Sequence, residues 1–423
     1  MDRLSEERKK INETDEKIAR LLEERFGASA RVAAYKKEAG MPVFDPVRER
    51  ELLDRNESLA SPEIAPYNRA LFSRILDLSK DYQKRLLGKA PALSVFLGGV
   101  STPVYLENGL FEKTEGFLPE TGKLLVLTDS GVPPELAERI CRGKENRFLY
   151  TVPMGENSKS LSTAEAILSF LQEKEFDRAD AVLAVGGGMV CDLGGFVASV
   201  YLRGIGFISL PTTLLAQADA AVGGKTGVNF GGVKNAVGSF FPPRTVLIDP
   251  LLLKTLPPRI FSEGAAEIIK MALLFDEALF ARLENGELFS DPLPFILAAL
   301  KWKKSVVERD EKEAGLRRVL NFGHTLGHAI EEAEGGALLH GECVALGMIP
   351  MAGKEVQRRL LPVLKTYGLP DRYNGDREKV RRFLRADKKR RGDAVTAVYC
   401  EKIGSFSLRE TAFEELEKRL GEL

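Results

Sequence analysis

The three histidines of this chain lie close together. His324, His328 and His340 fall within seventeen positions, and no other histidine occurs among the 423 residues. His324 and His328 are four residues apart, which places both imidazoles on one face of a helix, at the spacing of two zinc ligands. No glutamate follows His324, which argues against the H-E-x-x-H site of a metalloprotease. A single histidine usually has a structural role, but this clustering favours a metal site in which all three histidines are candidate ligands.

The composition narrows the class of protein. Lysine plus arginine equals aspartate plus glutamate, 61 against 61, so no net charge attracts nucleic acid or a membrane surface. The four cysteines show no C-x-x-C spacing, which is typical of reduced thiols in the cytosol. The first residues, MDRLSEERKK, form no secretory signal, and no run of about eighteen apolar residues occurs. We therefore expect a globular, cytoplasmic protein of two or three domains, with no membrane or nucleic-acid partner.

Glycine divides the chain into two parts. Only Gly27, Gly40 and Gly88 fall in the first 90 residues, although the chain has 39 glycines. This first part is rich in charge and in strong helix formers, with breakers near residues 40–42 and 61–62. The pattern predicts three helices and then a linker, with the helices at about 3–39, 46–59 and 63–87.

From Leu93 onward, short apolar runs alternate with helical patterns. The runs end in Gly, Asp or Thr, as buried parallel strands do when their C-terminal ends carry functional loops. Five such strands are predicted, from SVFLGG, KLLVLTDS, AVLAVGGG, GFISLPTT and TVLIDP. Beyond about residue 257 helical periodicity dominates, apart from VTAVYC near residue 395. The sequence therefore predicts a multidomain protein with an all-α domain, an α/β nucleotide-binding domain and a mostly α-helical domain, at residues 1–88, 93–256 and 257–423.

The first predicted helix carries cations where a core stripe should be apolar. Arg8, Arg25 and Lys36 recur on the 3–4 spacing that also contains Leu4 and Ile11. These cations could extend to the surface or pair with neighbouring acids. Three cations on one stripe instead favour a buried pocket for an anion, because burying unpaired cations is costly.

Residues 4 to about 87 resemble the small all-α chorismate mutases. The resemblance implies that Lys36 and Gln83 contact the ether oxygen of chorismate as catalytic groups, that arginines bind its carboxylates, and that Glu49 binds its hydroxyl. Holding the compact conformer and stabilising charge on the breaking bond is sufficient for this rearrangement. The family also shares its pocket between two chains, which implies a homodimer with Arg8 supplied by the partner chain. Eight positions match the family pattern in order: Arg8, Arg25, Lys36, Asp45, Arg48, Glu49, Ser79 and Gln83.

A triple-glycine turn follows the third predicted strand, in AVLAVGGGMVCDLGGF. Such a turn lets backbone N–H groups and a helix N-terminus approach a pyrophosphate. It is not G-x-G-x-x-G, and tight packing alone is the alternative interpretation. Asp129 ends the strand KLLVLTD, where a carboxylate commonly accepts ribose hydroxyls. Further polar candidates for a nucleotide site are Glu156, Lys159, Thr212 and Thr213.

The stretch DAAVGGKTGVNFGGVKNAVGSF concentrates charged and polar residues among glycines. It contains Asp219, Lys225, Lys234 and Asn235. A mobile surface loop is the simpler interpretation. Lysines in a glycine-rich loop beside a nucleotide site also suit a phosphate cradle.

The residues from Gly186 to Asn229 resemble 3-dehydroquinate synthases, and the resemblance extends from about residue 93 to the C-terminus. It implies an NAD-dependent enzyme. Cys191 departs from the family, whose members usually carry glycine there, so we expect altered cofactor affinity without loss of binding. The implied NAD contacts are Asp129, Glu156, Lys159, Gly187, Gly188, Asp192, Thr212, Thr213, Lys234 and Thr255.

The same resemblance divides the histidines by role. It implies that Glu267, His324 and His340 bind one divalent ion, Zn2+ or Co2+. Three protein ligands leave coordination positions open for substrate hydroxyls. His328 is then an acid–base residue rather than a ligand, and Glu313 is a proton acceptor.

Further matches imply a site for an anionic substrate. Lys225 is implied in catalysis as well as in binding. The basic run KKRRGD could otherwise be a solvated face or a nucleic-acid patch, but interleaved aromatic residues are missing. The implied substrate contacts are Arg203, Asp219, Lys225, Asn235, Lys270, Lys303, Arg317, Asn321 and Lys389, with Lys388 as the alternative to Lys389.

Together the two resemblances imply a bifunctional enzyme of the shikimate pathway. The synthase would convert DAHP, a seven-carbon 2-keto sugar acid phosphate, into 3-dehydroquinate and phosphate, with NAD regenerated in each turnover. The mutase would rearrange chorismate to prephenate. Three alternatives stay open: a related sugar-phosphate cyclase, an NAD-dependent metal alcohol dehydrogenase, and an N-terminal domain that only senses chorismate or prephenate.

Overall fold

The chain folds into two compact units, Met1–Ala92 and Leu93–Leu423. The structure is a computed structural model that describes residues 3–39, 41, 43, 45–86, 91–119, 121–391 and 394–423. Among the helices in these ranges, none is long and apolar enough to cross a membrane.

The first unit consists of three helices. Asp45 caps the second helix, because its Oδ1 accepts a hydrogen bond from the Arg48 backbone N–H at 3.0 Å, and Pro46 occupies the first helical turn. The third helix packs against both others. The three-helix prediction is confirmed, with ends one or two residues from the expected ones: α1 (Arg3–Glu38), α2 (Pro46–Ser58) and α3 (Ala65–Leu86).

The stripe of α1 that the sequence assigned to a core is largely exposed. Leu4, Ile11 and Ile18 are 54%, 57% and 44% exposed, and Arg8 on the same stripe is exposed as well. Among the described residues of one chain, this end of α1 lies at the surface, so a buried pocket here would need a partner chain, and the pocket stays a prediction. Apolar residues at seven-residue spacing are typical of a helix face that packs against another helix.

The second unit begins with an α/β region. Its strands are β1 (Leu93–Leu97), β2 (Val100–Leu106), β3 (Leu124–Asp129), β4 (Arg147–Val152), β5 (Ala181–Gly186), β6 (Gly206–Pro211), β7 (Lys225–Phe230), β8 (Val233–Phe240) and β9 (Thr245–Ile248). Its helices are α4 (Pro134–Cys141), α5 (Leu161–Glu173) and α6 (Gly188–Val200). Seven strands form one sheet in the order β1-β2-β9-β6-β5-β3-β4.

The sheet is parallel except at one edge. β1 pairs antiparallel with β2, so the prediction that SVFLGG forms a parallel strand is wrong. The reason is local: Gly98 and Gly99 both have positive φ, and they turn the chain straight back into β2. The other four predicted strands, β3, β5, β6 and β9, run parallel as expected.

The glycine-rich stretch after β6 is ordered rather than a loop. β7 and β8 form a separate antiparallel hairpin, with Gly231 and Gly232 at its tip. Gly227 and Gly238 face each other across the two strands, where a Cβ on Gly238 would lie 2.2 Å from the Thr226 carbonyl oxygen. The glycines therefore allow the two strands to pair closely, whereas the glycine content of the sequence had suggested a mobile loop.

The rest of the second unit is mostly helical, as predicted. Its helices are α7 (Pro258–Phe275), α8 (Glu277–Glu284), α9 (Pro292–Val307), α10 (His324–Glu334), α11 (His340–Met348), α12 (Lys354–Thr366), α13 (Arg377–Arg391) and α14 (Phe413–Leu420). All of VTAVYC except Cys400 lies in β10 (Ala394–Tyr399), which pairs with β11 (Ser407–Ala412), a strand that the sequence did not indicate.

Helix α11 packs tightly against both α7 and α10. A Cβ on Gly341 would lie 2.1 Å from the Glu263 carbonyl oxygen of α7. A Cβ on Gly347 would lie 1.9 Å from the carbonyl oxygen of Gly323, the residue before α10. These two glycines therefore bring the starts of α10 and α11 close to the middle of α7.

Candidate active sites

The close packing of α7, α10 and α11 brings three potential metal ligands together. Glu267 lies on α7, His324 is the first residue of α10, and His340 is the first residue of α11. Nε2 of His324 is 3.5 Å from Oε1 of Glu267, and Nε2 of His340 is 3.8 Å from the same oxygen. One ligand atom from each of the three residues lies within 4.8 Å of the others. This is the set that the resemblance implied.

Glu267 fits a metal ligand better than it fits a structural carboxylate. The residue is only 3% exposed, and neither of its carboxylate oxygens has a hydrogen-bond partner among the residues that the structure describes. The ammonium group of Lys270, one turn along α7, forms an ion pair with it. This ion pair offsets part of the cost of burying the Glu267 charge, and a bound cation would use the lone pairs of Oε1, which faces the two histidines.

His328 differs from the other two histidines. It is exposed on α10, and its ring centroid lies 5.3 Å from that of His324 and 5.8 Å from that of His340. It does not belong to the group of Glu267, His324 and His340 (the Glu267 set). With Glu331 and His340 it forms a second group that could hold a cation. The position next to the first set suits a proton-transfer residue.

Buried cations lie beside the candidate metal site. Lys270, Lys303 and Arg317 are each less than 7% exposed. Lys303, on α9, forms an ion pair of 2.7 Å with Asp219, which lies in a π-helical turn over Ala216–Ala220. Burial lowers the pKa of Lys303 although Asp219 opposes that shift. These cations could bind anionic groups of a substrate.

Arg317 and Lys303 also approach the glycine-rich stretch before β7. The guanidinium of Arg317 donates to the carbonyl oxygen of Glu311 at 2.6 Å and to that of Gly223 at 3.4 Å. A Cβ on Gly223, whose φ is +125°, would lie 3.2 Å from Arg317 Nη2. Gly223 therefore leaves space in front of this guanidinium.

Glu313 connects two of the predicted substrate contacts. It forms an ion pair with Lys225, at the start of β7, and accepts a hydrogen bond from Asn321 Nδ2 at 2.7 Å. Burial alone would raise the pKa of Glu313, but Lys225 and Asn321 outweigh it and lower that pKa. An ionised carboxylate is the form that a proton acceptor needs.

The predicted NAD contacts collect around the C-terminal ends of the sheet strands. Gly187 caps α6, and a Cβ on it would lie 3.1 Å from the Thr213 side chain. Asp129 ends β3, with Oδ1 accepting from the Gly131 N–H at 2.7 Å. Burial raises the pKa of Asp129, and the hydrogen bonds from the backbone N–H groups of Gly131 and Val132 offset only part of that shift.

A second group of predicted NAD contacts forms a polar network. Lys159 forms an ion pair of 2.6 Å with Asp192 of α6 and also donates to Asn235 of β8. Glu156 accepts a hydrogen bond from Asn229 of β7 at 2.8 Å. The hairpin is thereby attached to the region around the glycine turn.

Three predicted site residues lie apart from these groups, and a fourth cannot be placed. Lys234 forms an ion pair of 2.6 Å with Glu331 of α10. Thr255 donates to the Leu252 carbonyl oxygen within its own turn. Arg203 is exposed and has a φ of +67°. Lys389 and its alternative Lys388 belong to α13, but their side chains lie outside the described part of the chain.

Cys191 is buried in α6, with Sγ 3.3 Å from the Ser209 hydroxyl. Burial raises the pKa of Cys191 to about 12, so the side chain is a neutral thiol at neutral pH. It packs against β6 behind the glycine turn.

The first unit holds its own candidate site. Arg25 is half-buried, and its Nη1 is buried without a hydrogen-bond partner among the described residues, as is Oε1 of Gln83. Burial lowers the pKa of Arg25. Gln83 donates to the Ser79 hydroxyl at 3.5 Å, and Ser79 lies 2.9 Å from the hydroxyl of Ser29. An unpaired buried donor and acceptor on facing helices are what a polar ligand would satisfy.

Other predicted mutase residues contact groups of their own unit. Lys36 donates to the carbonyl oxygen of Val43 at 2.6 Å. Glu49 forms an ion pair of 3.0 Å with Lys80, a residue that sequence analysis did not select. Arg48 is exposed and pairs with Glu51 at 3.4 Å.

Glu331 was also missed in the sequence. It accepts a hydrogen bond from Nδ1 of His340 at 3.2 Å and pairs with Lys234. Burial alone would raise the pKa of Glu331, but His340 and Lys234 lower it to about 2. The available signal was its position three residues after His328, on the same helical face.

Three sequence families match the chain. The 3-dehydroquinate synthase N-terminal family matches residues 149–263, and its C-terminal family matches residues 264–390. The chorismate mutase type II family matches residues 7–84. The 3-dehydroquinate synthase of Enterococcus faecalis is 45% identical over 285 residues, which cover 63% of this chain and 79% of that protein. The one of Acetivibrio thermocellus is 38% identical over 353 residues, covering 78% and 98%.

Solved structures give the same result for the fold. A 2-deoxy-scyllo-inosose synthase complexed with carbaglucose-6-phosphate, NAD+ and Co2+ has a TM-score of 0.70 at 26% identity, covering 78% of this chain and 99% of that one. A 2-epi-5-epi-valiolone synthase from Streptomyces hygroscopicus with NAD+ and Zn2+ has a TM-score of 0.70 at 28% identity, covering 77% and 98%. The chain therefore belongs to the 3-dehydroquinate synthase family and, with its N-terminal chorismate mutase type II domain, is a bifunctional enzyme of the shikimate pathway.

Proposed function

We propose that the synthase binds NAD and one divalent ion, Zn2+ or Co2+, and that Glu267, His324 and His340 hold the ion. The observation that carries this proposal is the convergence of both Nε2 atoms on Oε1 of the buried Glu267 carboxylate, whose Oε2 pairs with Lys270. The two related cyclases contain NAD+ with Co2+ or Zn2+. A divalent ion held by Glu267, His324 and His340 would supply a Lewis acid for a substrate hydroxyl, and NAD would supply reversible hydride transfer at the carbon that carries this hydroxyl.

The substrate DAHP carries a phosphate and a carboxylate, so its site needs cations. Lys270, Lys303 and Arg317 supply buried positive charge next to the proposed ion. Arg203, Asp219, Lys225, Asn235, Asn321 and Lys389 are further proposed contacts. Low exposure strengthens the charge-assisted hydrogen bonds that Lys270, Lys303 and Arg317 could make.

Two residues are proposed to move protons. His328 is exposed beside Glu267, His324 and His340 and is not a ligand of the proposed ion. Glu313 is held ionised by Lys225 and Asn321 and can accept a proton. A group that moves a proton must come within hydrogen-bond reach of it, and the position of His328 beside the metal ligands supports this proposal.

NAD is proposed to lie across the C-terminal ends of β3, β5 and β6. The N-terminus of α6, with Gly187 and Gly188, faces its pyrophosphate. The other proposed contacts are Asp129, Glu156, Lys159, Asp192, Thr212, Thr213, Lys234 and Thr255. In this assignment residues 93–256 form the cofactor domain and residues 257–423 the metal and substrate domain.

In the mutase, residues 1–88, we propose that Arg25 and Arg48 bind carboxylates of chorismate and that Lys36 and Gln83 contact its ether oxygen. The orphaned Nη1 of Arg25 and Oε1 of Gln83 support this assignment. Asp45, Glu49 and Ser79 complete the proposed set.

The mutase is also proposed to form a homodimer. Leu4, Ile11 and Ile18 recur every seven residues on α1 and are exposed, and Arg25 continues that stripe. A second copy covering the stripe would bury these apolar side chains and supply its own Arg8 to the pocket.

The free cysteines are consistent with a cytoplasmic location.

Removal of the ion tests the proposed metal dependence. Dialysis against a chelator is expected to lower phosphate release from DAHP at least about tenfold, with activity returning on addition of Zn2+ or Co2+. Because NAD is regenerated, phosphate release should proceed without accumulation of NADH. Steady accumulation of NADH, one molecule for each substrate molecule oxidised, would instead identify an alcohol dehydrogenase. Phosphate release that is unaffected by the chelator would contradict the metal site.

The fusion itself suggests a further measurement. We expect saturating prephenate to change the rate of phosphate release about fivefold or more, because a ligand that favours one assembly of the mutase can bias the whole chain. The measurement is synthase velocity across prephenate concentrations. The control is Arg25→Ala, which should remove the response because prephenate no longer binds. A flat response in the unchanged chain would leave a passive tether as the explanation of the fusion.

A further inference from the structure

The carboxylate of Glu331 lies on the outer side of the candidate metal site. Its Oε2 is 3.2 Å from Nδ1 of His340, while Nε2 of the same ring points toward Glu267 at 3.8 Å. The Glu331 side chain is 14% exposed and is itself ion-paired with Lys234 of β8 at 2.6 Å. One carboxylate therefore contacts both a proposed metal ligand and the hairpin.

His324 has the same arrangement with a different partner. Its Nδ1 lies 3.1 Å from the backbone carbonyl oxygen of Phe322, and its Nε2 faces Glu267 at 3.5 Å. A backbone carbonyl only accepts, so Nδ1 of His324 is the protonated nitrogen. The lone pair of the ring is then on Nε2, on the side of Glu267.

We propose that Glu331 is the positioning residue for His340, an inference that rests on the proposed metal site. A neutral imidazole binds a metal through one nitrogen and carries its proton on the other. The carboxylate of Glu331 accepts that proton's hydrogen bond at Nδ1, which selects the tautomer with a free lone pair on Nε2. The same hydrogen bond fixes the rotation of the ring. The negative charge of Glu331 also makes Nε2 of His340 a stronger electron-pair donor to a metal.

Lys234 restrains Glu331 in turn. Because β8 belongs to the hairpin and α10 to the helical region, the ion pair joins the two parts of the second unit at this point. A carboxylate held from two sides has fewer rotamers to lose when His340 binds a metal. Lys234 was selected in the sequence as an NAD contact, and the structure gives it this additional partner.

The competing assignment makes Glu331 a ligand. His328, Glu331 and His340 form a group that could hold a cation through Nδ1 of His340. Each carboxylate pairs with one lysine, but the remaining oxygen differs: Oε2 of Glu331 lies 3.2 Å from Nδ1 of His340, whereas Oε1 of Glu267 faces Nε2 of both His324 and His340. The geometry therefore favours one ion, on the Nε2 side of His340.

The test compares metal affinity in Glu331→Ala, Glu331→Gln and the matched control Glu332→Gln, an exposed neighbour on α10 with the same loss of charge. The probe is Zn2+ titrated into apoprotein against a chromophoric chelator. Glu331→Ala is expected to weaken binding about 10- to 100-fold. Glu331→Gln keeps an acceptor for Nδ1 and should fall between Glu331→Ala and the unchanged protein. Glu332→Gln should bind like the unchanged protein, and every variant should bind one ion per chain at saturation.

Two results would overturn the assignment. Affinity within about threefold of the unchanged protein in Glu331→Ala would show that the carboxylate does not support His340. Two ions per chain that fall to one in Glu331→Ala would show that Glu331 is a ligand. Failure of the unchanged protein to bind Zn2+ would be a distinct result, because it would refute the proposed metal site itself. Thermal unfolding of each apoprotein identifies a variant that is simply misfolded, and Glu331→Gln, of the same shape, then carries the comparison.

Discussion

Replacing His328 with alanine is expected to lower the rate of phosphate release from DAHP by about 10²- to 10⁴-fold while leaving close to one metal ion per chain. The reason is positional. His328 is exposed beside the Glu267 set but does not belong to it, so its loss removes a proton-transfer group and no ligand. The measurement pairs elemental analysis of dialysed protein with a phosphate-release assay.

The matched variant is His324→Ala, one helical turn earlier. It should lose both the ion and the activity, because Nε2 of His324 faces Glu267 at 3.5 Å. If His328→Ala also loses its ion, the histidines act together as ligands, which was the first interpretation of their spacing. Retention of both ion and full activity would remove His328 from the reaction.

The architecture was accessible from sequence where periodicity was long and uninterrupted. Three helices followed by apolar strands and then helices were predicted, and the comparisons confirm this order. The sequence could not show that β1 pairs antiparallel, because an apolar run such as SVFLG suits a parallel and an antiparallel strand equally well. Gly98 and Gly99 decide it, and only their positive φ values show that they form a turn.

The candidate sites illustrate a different limit. His324 and His328 are at ligand spacing, yet the structure groups His324 with His340 and Glu267 because α11 approaches both α7 and α10. Periodicity within one helix cannot reveal packing between three helices. The resemblance supplied the set that spacing could not. Glu331 was missed for the same reason, since its partners lie on α11 and β8.

Both sites also share one physical property. Each contains buried polar atoms without a hydrogen bond to the described residues: Oε1 of Glu267 in one site, and Nη1 of Arg25 with Oε1 of Gln83 in the other. Such atoms lower the stability of the free protein, and a ligand that satisfies them recovers the lost free energy. Sites of this kind therefore lower the stability of the free protein and favour binding of the ligand.

This property leads to a prediction for the mutase. Arg25→Ala is expected to lower the rate of chorismate rearrangement by at least about 10³-fold, since it removes a cation from a partly buried pocket. The unfolding temperature of the ligand-free protein should not fall, because Nη1 of Arg25 has no hydrogen bond there to lose. Lys36→Ala should abolish rearrangement as well but cost some stability, since Lys36 donates to Val43 at 2.6 Å. Prephenate formation and thermal unfolding are measured on the same samples.

The control is Arg20→Ala, an exposed residue of α1, which should leave both quantities unchanged. Phosphate release from DAHP should stay nearly constant in Arg25→Ala and Lys36→Ala, because the substituted residues belong to a separate compact unit. Equal loss of both activities would mean that the first unit supports the folding of the second. A marked fall in the unfolding temperature of Arg25→Ala would mean that its guanidinium is a structural group, and the rearrangement would then have to be assigned to other cations of α1.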